Sequence, residues 1–171
     1  EQERAYSIDF DVGVFTNFTQ DHLDYHETME KYFAAKGRLF SQLLVQSAKA
    51  KKKAVINIDD AMVRGLKIPA IITRTTFGKG DGADFRFFAE QYSFAGTQFK
   101  VMVKNRVVNF RTQMLGEHNI YNFLAALAAV EEEIGSLEEI VPEVEKFKGV
   151  SGRMEPVENA RGLNVIVDFA H

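Results

Sequence analysis

The chain contains no cysteine. Disulfides and thiolate metal sites are therefore excluded, and a reducing compartment is compatible with the composition. No apolar run reaches the roughly 18 residues that a membrane-spanning helix needs. No secretory signal is visible at the start either. Excess charge of one sign is also lacking. The 21 basic and 24 acidic residues leave a net charge of -3, which gives no electrostatic reason to expect nucleic acid or an acidic membrane surface as a partner. Internal repeats and low-complexity linkers are missing. What is present is apolar. Hydrophobic residues make up 46% of 171 positions, enough for one domain with a true core, with or without a small attached sheet. The first residue is Glu1 rather than Met, and His171 follows the apolar run Val165-Ile166-Val167. Both ends read as cuts in a longer protein.

Strand and helix patterns alternate along the chain. Asp11 to Phe15 reads as a short buried strand, followed by a polar loop from Thr16 to Gln20. A helix is expected from Thr28 to Ser47. Met29, Tyr32, Phe33, Phe40, Leu43 and Leu44 recur at helical spacing, with Thr28 as N-cap and Glu30 in the first turn. The basic run Lys49 to Lys53 suits a helix C-terminus or a solvated face. Ala54 to Ile58 and Pro69 to Thr73 are the next strands, with Asp59-Asp60 opening a short helix to Leu66. Three strand-like segments then follow a glycine-punctuated loop: Asp84–Phe94, Thr97–Val103 and Val107–Thr112. They read as an antiparallel meander forming a small second sheet, with turns at Gly96 and Asn105. Helices are expected over Asn119–Ile134 and Leu137–Phe147, and a last buried strand over Leu163–Val167. The fold class is α/β, a mostly parallel sheet flanked by helices with a small antiparallel meander over about residues 84–112. In such sheets ligands gather beyond the carboxyl ends of strands. Two polar clusters fall there, Thr16 to His26 and Asp168 to His171.

Several segments invite a chemical reading. Phe77 to Gly82 is glycine-rich, but Lys79 is followed by a glycine rather than by the hydroxyl residue of a phosphate loop. A plain loop before the meander is the better reading. Asp21-His22-Leu23-Asp24-Tyr25-His26 holds two imidazoles and two carboxylates in six residues. Capping and metal binding are equally open there, and magnesium would need oxygen ligands besides a histidine. Lys36 lies seven residues after Met29 and so falls on the apolar stripe of its helix. It can snorkel outward, pair with a buried carboxylate, or be held neutral by burial and capture carbon dioxide as a carbamate. Spacing alone favours snorkelling. Gly116 to Asn122 opens a helix, where anions are favoured and amide side chains suit purine edges. Ordinary capping is the alternative. Arg153, beside Gly152, can fork onto a phosphate or form a surface salt bridge.

Taken together and in order, these segments resemble the Mur ligase family. The stretches that carry the resemblance are TNFTQDHLDYHETMEKYFAAKGRLF from Thr16, GEHNIYNFLAA from Gly116, SGRME from Ser151 and VDFAH from Val167. Within the family, the branch that adds a third residue to UDP-N-acetylmuramoyl-L-alanyl-D-glutamate (UDP-MurNAc-L-Ala-D-Glu) is nearest. The resemblance implies the central, ATP-binding domain of a ligase that phosphorylates a carboxylate with ATP and lets an amine displace the phosphate, with magnesium as the second cofactor. It implies that Lys36 is a carbamylated catalytic lysine and that it holds magnesium together with His22. It further implies that Asn119, Asn122, Arg153 and Asp168 hold ATP, and that Gln2 and Arg4 contact the UDP-sugar peptide. The implied partners are UDP-MurNAc-L-Ala-D-Glu and a diamino acid, meso-diaminopimelate or L-lysine, without nucleic acid or membrane, in the cytoplasm. Residues 1–160 would be a partial central domain and residues 161–171 the start of a C-terminal ligase domain. The phosphate loop and both flanking domains would lie elsewhere in the same protein, so the chain alone is expected to be inactive. A folate-polyglutamate ligase and a non-catalytic interaction domain are the competing readings. Fourteen residues of continuous helix would separate His22 and Lys36 by about 21 Å, so His22 is expected on a loop that folds back.

Overall fold

Strand β1 (Val12–Phe15) starts a parallel run with β2 (Lys53–Asn57) and β3 (Thr73–Gly78). The computed structural model describes residue 5, residues 7–19 and residues 26–169. Every residue of β2 is buried, as expected for a strand covered on both faces. Its side chains alternate between two cores. Ala54 and Ile56 join Phe15, Phe40 and Leu44, whereas Val55 joins Phe77, Phe87, Ile120 and Leu124.

The first core is closed by helix α1 (Met29–Arg38), which continues through a π-helical segment, Leu39–Leu43, and a last turn, Leu44–Gln46. Thr28 caps it as expected, its side chain accepting from the Lys31 amide at 3.2 Å. In the wide segment the Leu44 amide reaches back to the Leu39 carbonyl. Nearby, the Ser41 hydroxyl donates to the Gly37 carbonyl at 3.2 Å, a back-bond of the kind that loosens a helical ladder. The second core is closed by α3 (Glu117–Val130), which follows the short α2 (Ala61–Arg64) in chain order. Helix α4 (Leu137–Lys146) packs its apolar side against the same core.

The meander forms as expected: β4 (Phe85–Ser93), β5 (Gly96–Val103) and β6 (Arg106–Thr112) pair antiparallel. It is not a separate sheet. Phe77 and Gly78 of β3 pair with Phe85 and Arg86 of β4, which gives one six-stranded sheet in the order β1-β2-β3-β4-β5-β6. Lys104 and Asn105 both take positive φ in the β5–β6 turn, the geometry of a tight hairpin.

Three expected elements move. The strand expected at residues 69–73 is a turn, with the Ile72 amide on the Pro69 carbonyl at 2.9 Å. Pairing starts only where the Thr73 amide meets the Lys52 carbonyl, also at 2.9 Å. The helix expected over residues 119–134 starts two residues early, at Glu117, and gives way to a 3-10 turn at Glu131–Glu133. The final strand, β8 (Val165–Val167), is not buried. It pairs only with β7 (Glu155–Val157), which the sequence pattern did not reveal, and Val165 and Val167 are each 42% exposed.

Candidate functional site

The carboxyl ends of β1, β2 and β3 deliver their loops to one end of the sheet. On the α1 side, Phe18 is buried against Tyr32 and Phe33, with ring centroids 5.0 and 5.2 Å away. The Lys36 ammonium stands over Tyr32 at 4.6 Å, Phe15 at 5.7 Å and Phe18 at 6.0 Å. The residue as a whole is exposed. Three aromatic faces attract it. His26 stacks on Tyr32 at 4.8 Å. Gln2, Arg4, Asp21, His22 and Asp24 lie outside the described residues, so the Lys36–His22 geometry does too. Among the described residues no three His, Asp or Glu side chains are grouped to hold a metal.

On the α3 side, four residues named in the sequence analysis come together. Asn119, Asn122, Arg153 and Asp168 line one cavity of about 480 Å³, with Met114 and His118 beside them. That volume lies in the range of small-molecule pockets. Each residue is held from a different direction. Asn119 donates through Nδ2 to the Leu115 carbonyl at 2.7 Å, and its amide closes the first turn of α3 on the Gly116 carbonyl at 3.1 Å. Asn122 points its Nδ2 at the Asn119 Oδ1, 3.4 Å away.

Arg153 sits in a tight loop. Glu155 Oε2 accepts from the Gly152 amide at 2.7 Å and the Ser151 hydroxyl at 2.9 Å. These two bonds, the Gly152 amide first, hold the Glu155 carboxyl below the usual range. Asp168 Oδ2 accepts from the Met154 amide at 2.8 Å, and the Phe169 amide donates to the Gly152 carbonyl, also at 2.8 Å. Backbone bonds thereby fix Asp168 against the Arg153 loop. Among the described residues the Arg153 guanidinium has no ion-pair partner, so the surface salt bridge considered from sequence is not formed there.

The family model for the Mur ligase middle domain matches residues 1–130. The chain belongs to the Mur ligase family. A UDP-N-acetylmuramoyl-L-alanyl-D-glutamate–2,6-diaminopimelate ligase of Lactiplantibacillus plantarum is 38% identical over 170 residues, 98% of this chain and 34% of that protein. The ligase of the same name from Geobacter sulfurreducens is 40% identical over 172 residues, 100% of this chain and 34% of that protein. A solved structure of a ligase of that name superposes with a TM-score of 0.77 at 34% identity, covering 92% of this chain and 32% of that one. A pseudomurein peptide ligase from Methanothermus fervidus, at 21% identity and a TM-score of 0.70, shares the fold. The chain spans about a third of the length of the curated relatives it matches.

This Mur ligase chain also uses a strand residue, Asn57, and two acids, Asp59 and Asp60, whose sequence pattern marked only a helix start. Asn57 donates through Nδ2 to the Thr16 carbonyl at 2.7 Å. Asp60 caps α2 and accepts the Phe18 amide at 2.6 Å. Asp59 faces the other way, toward Tyr121 and the β3–β4 turn. The pair of acids one step past a buried strand was the visible signal. Its partners, some 20 to 60 residues distant, were not.

Proposed function

We propose that the chain is the central part of an ATP-dependent ligase of peptidoglycan precursor synthesis. The reaction would join meso-diaminopimelate or L-lysine to UDP-MurNAc-L-Ala-D-Glu through an acyl phosphate. The observation that carries this reading is the convergence of Asn119, Asn122, Arg153 and Asp168 on one cavity from separate segments. Their chemistry suits a nucleotide. The two amides offer donors and acceptors to a purine edge. Arg153 offers a fork for phosphate. The free oxygen of Asp168 can accept a ribose hydroxyl. ATP, when bound, supplies the activating phosphoryl group, and these side chains bind and orient it.

The names of the relatives support the choice of acceptor peptide. On this reading Lys36, as its carbamate, and His22 would hold magnesium. Gln2 and Arg4 would contact the UDP-sugar peptide. Residues 1–160 would belong to the central domain and residues 161–171 to the start of the next, with the enzyme working in the cytoplasm where ATP is supplied. No helix among the described residues is long and apolar enough to cross a membrane. The other domains of the parent polypeptide would complete the site, so the 171-residue chain alone should release no phosphate from ATP.

The test uses the full-length polypeptide that contains this chain. ATP should bind it, and Asn122→Ala and Arg153→Ala should each weaken binding by about 1–3 kcal/mol. UDP-MurNAc-L-Ala-D-Glu with a diamino acid should give amide and phosphate. ATP binding that both substitutions leave unchanged would overturn the site. Turnover of folate and glutamate instead would move the enzyme to the folate-polyglutamate branch, and absence of any nucleotide binding would favour an interaction domain.

A further inference from the structure

Helix α3 carries two of the cavity's amides, and one of them, Asn119, ties the helix start to the Leu115 carbonyl at 2.7 Å. Its N-cap is Gly116, which makes no side-chain capping bond. Uncapped first turns leave several amides without intrahelical partners and fray readily. This turn is tied down from outside. The Tyr121 hydroxyl, one position before Asn122, donates to Asp59 Oδ2 at 2.7 Å. Glu117, two positions before Asn119, accepts from the Lys79 ammonium at 2.9 Å.

Both ties lead back to Asp59. Its Oδ2 also accepts the Lys79 amide at 2.5 Å, and its Oδ1 accepts the Gly80 amide at 2.9 Å. Its own amide is fixed on Asn57 Oδ1 at 2.9 Å. The glycines of the turn are there for this approach. A methyl group built on Gly78 or Gly80 would stand 2.6 or 2.7 Å from the Asp59 carboxylate oxygens, closer than a carbon atom can approach. One carboxylate therefore joins the exit of β2, the exit of β3 and the first turns of α3. It does not line the cavity itself.

We infer that Asp59 is the positioning residue for the nucleotide-facing amides, acting through Tyr121 and Lys79 to set where Asn119 and Asn122 stand. The inference rests on the nucleotide reading of the cavity for its ligand. Its geometric half, the clamp on α3, stands by itself.

Tyr121→Phe is the cleanest perturbation. It deletes one hydroxyl and keeps the ring, which packs edge-on against Phe87 at 5.0 Å. Asp59→Ala removes the whole clamp and serves as the second variant. In the full-length polypeptide, Tyr121→Phe should weaken ATP binding roughly 2- to 30-fold, the range expected for residues that modulate a site without touching the ligand. Its thermal midpoint should stay within about 2 °C of the parent. The decisive readout is a double-mutant cycle. In an Asn119→Ala/Asn122→Ala background, Tyr121→Phe should have almost no further effect on ATP affinity, because nothing is left to position. Effects that multiply instead would overturn the inference. Amide hydrogen exchange over residues 117–122 separates the two readings. Faster exchange in Tyr121→Phe and in Asp59→Ala supports the clamp even if ATP fails to bind the parent, a result that would count against the nucleotide reading alone. Unchanged exchange in both variants overturns the clamp.

Discussion

Replacing Gly13 by alanine should destabilise the fold through one added methyl group. Gly13 lies on β1 beneath α1. A Cβ built there stands 2.8 Å from Leu44 Cδ1, 3.1 Å from Phe40 Cε1 and 3.3 Å from Leu39 Cδ2. Favourable carbon contacts lie at about 3.5–4.0 Å, so the Leu44 contact alone is about 0.7 Å too close. Leu44 is 0% and Phe40 1% exposed, so neither has solvent to move into. Leu39 is half-buried and can yield. Overpacking of this kind costs about 1–3 kcal/mol. Denaturant unfolding of the 171-residue chain measures it. The same argument fixes the sign of a double-mutant cycle. Leu44→Ala alone should cost about 2–5 kcal/mol. In the Gly13→Ala background it should cost less by about 0.5–3 kcal/mol, because the new methyl partly fills the space. A Gly13→Ala loss under about 0.5 kcal/mol, or a strictly additive cycle, would refute the packing argument.

A second glycine tests the Arg153 loop. Gly152 has φ +71°, and its added Cβ would stand 2.0 Å from Phe169 Cε2. The ring is 66% exposed and can swing aside, but the left-handed backbone still costs an alanine about 1–2 kcal/mol. Gly152→Ala should therefore weaken ATP binding to the parent polypeptide and lower stability, and adding Phe169→Ala should recover only the steric part. Full recovery, or no loss at all, would contradict the geometry. The Lys79 network sets the pH window. Burial alone would raise the Glu90 carboxyl, but the Lys79 hydrogen bond and charge, with a backbone bond, outweigh it and lower it. Its contribution is present above the ordinary carboxyl value of 4.5 and is lost as pH falls through the lowered one. Lys79 is raised by its hydrogen bonds to Glu90 and Glu117, so its contribution is lost only on the alkaline side. Burial and the Glu117 hydrogen bond push Tyr92 from 10.0 up to about 12, and that contribution fades as pH rises between those values. Glu90→Gln should flatten the acid limb of the stability profile, and Tyr92→Phe part of the alkaline limb. Limbs identical to the parent's would sink the assignment.

The elements with strong local signals were legible in the sequence. The Thr28 cap, the α1 stripe and the alternation of β5 depend on near neighbours, and they stand where periodicity put them. β3 was misplaced because Pro69 to Ile72 carries the apolar run, whereas in the strand itself only Thr76, Phe77 and Gly78 are buried. The joining of meander and parallel sheet rests on two residue pairs, too short a ladder to leave a pattern. For the cavity, spacing read Asn119 and Asn122 as helix-start residues and Arg153 as a loop arginine. Only the family resemblance linked them to Asp168, because their meeting is a tertiary fact. The Asp59 clamp was missed for the same reason, since its hydrogen-bond partners lie 20, 21 and 62 positions away.

Lys36 shows how far such reasoning carries. Helical spacing put it on the apolar stripe, where burial was one route to a neutral, nucleophilic amine. The structure leaves the residue exposed, with its nitrogen over three ring faces. Ring contacts of this kind are worth about 0.5–1 kcal/mol at an exposed position. That is enough to choose a rotamer and too little to hold the side chain against a bound divalent ion, whose oxygen ligands are bound far more strongly. The rings also present negative faces, so they would repel an anionic carbamate. A carbamate at Lys36 would therefore need a partner other than these rings.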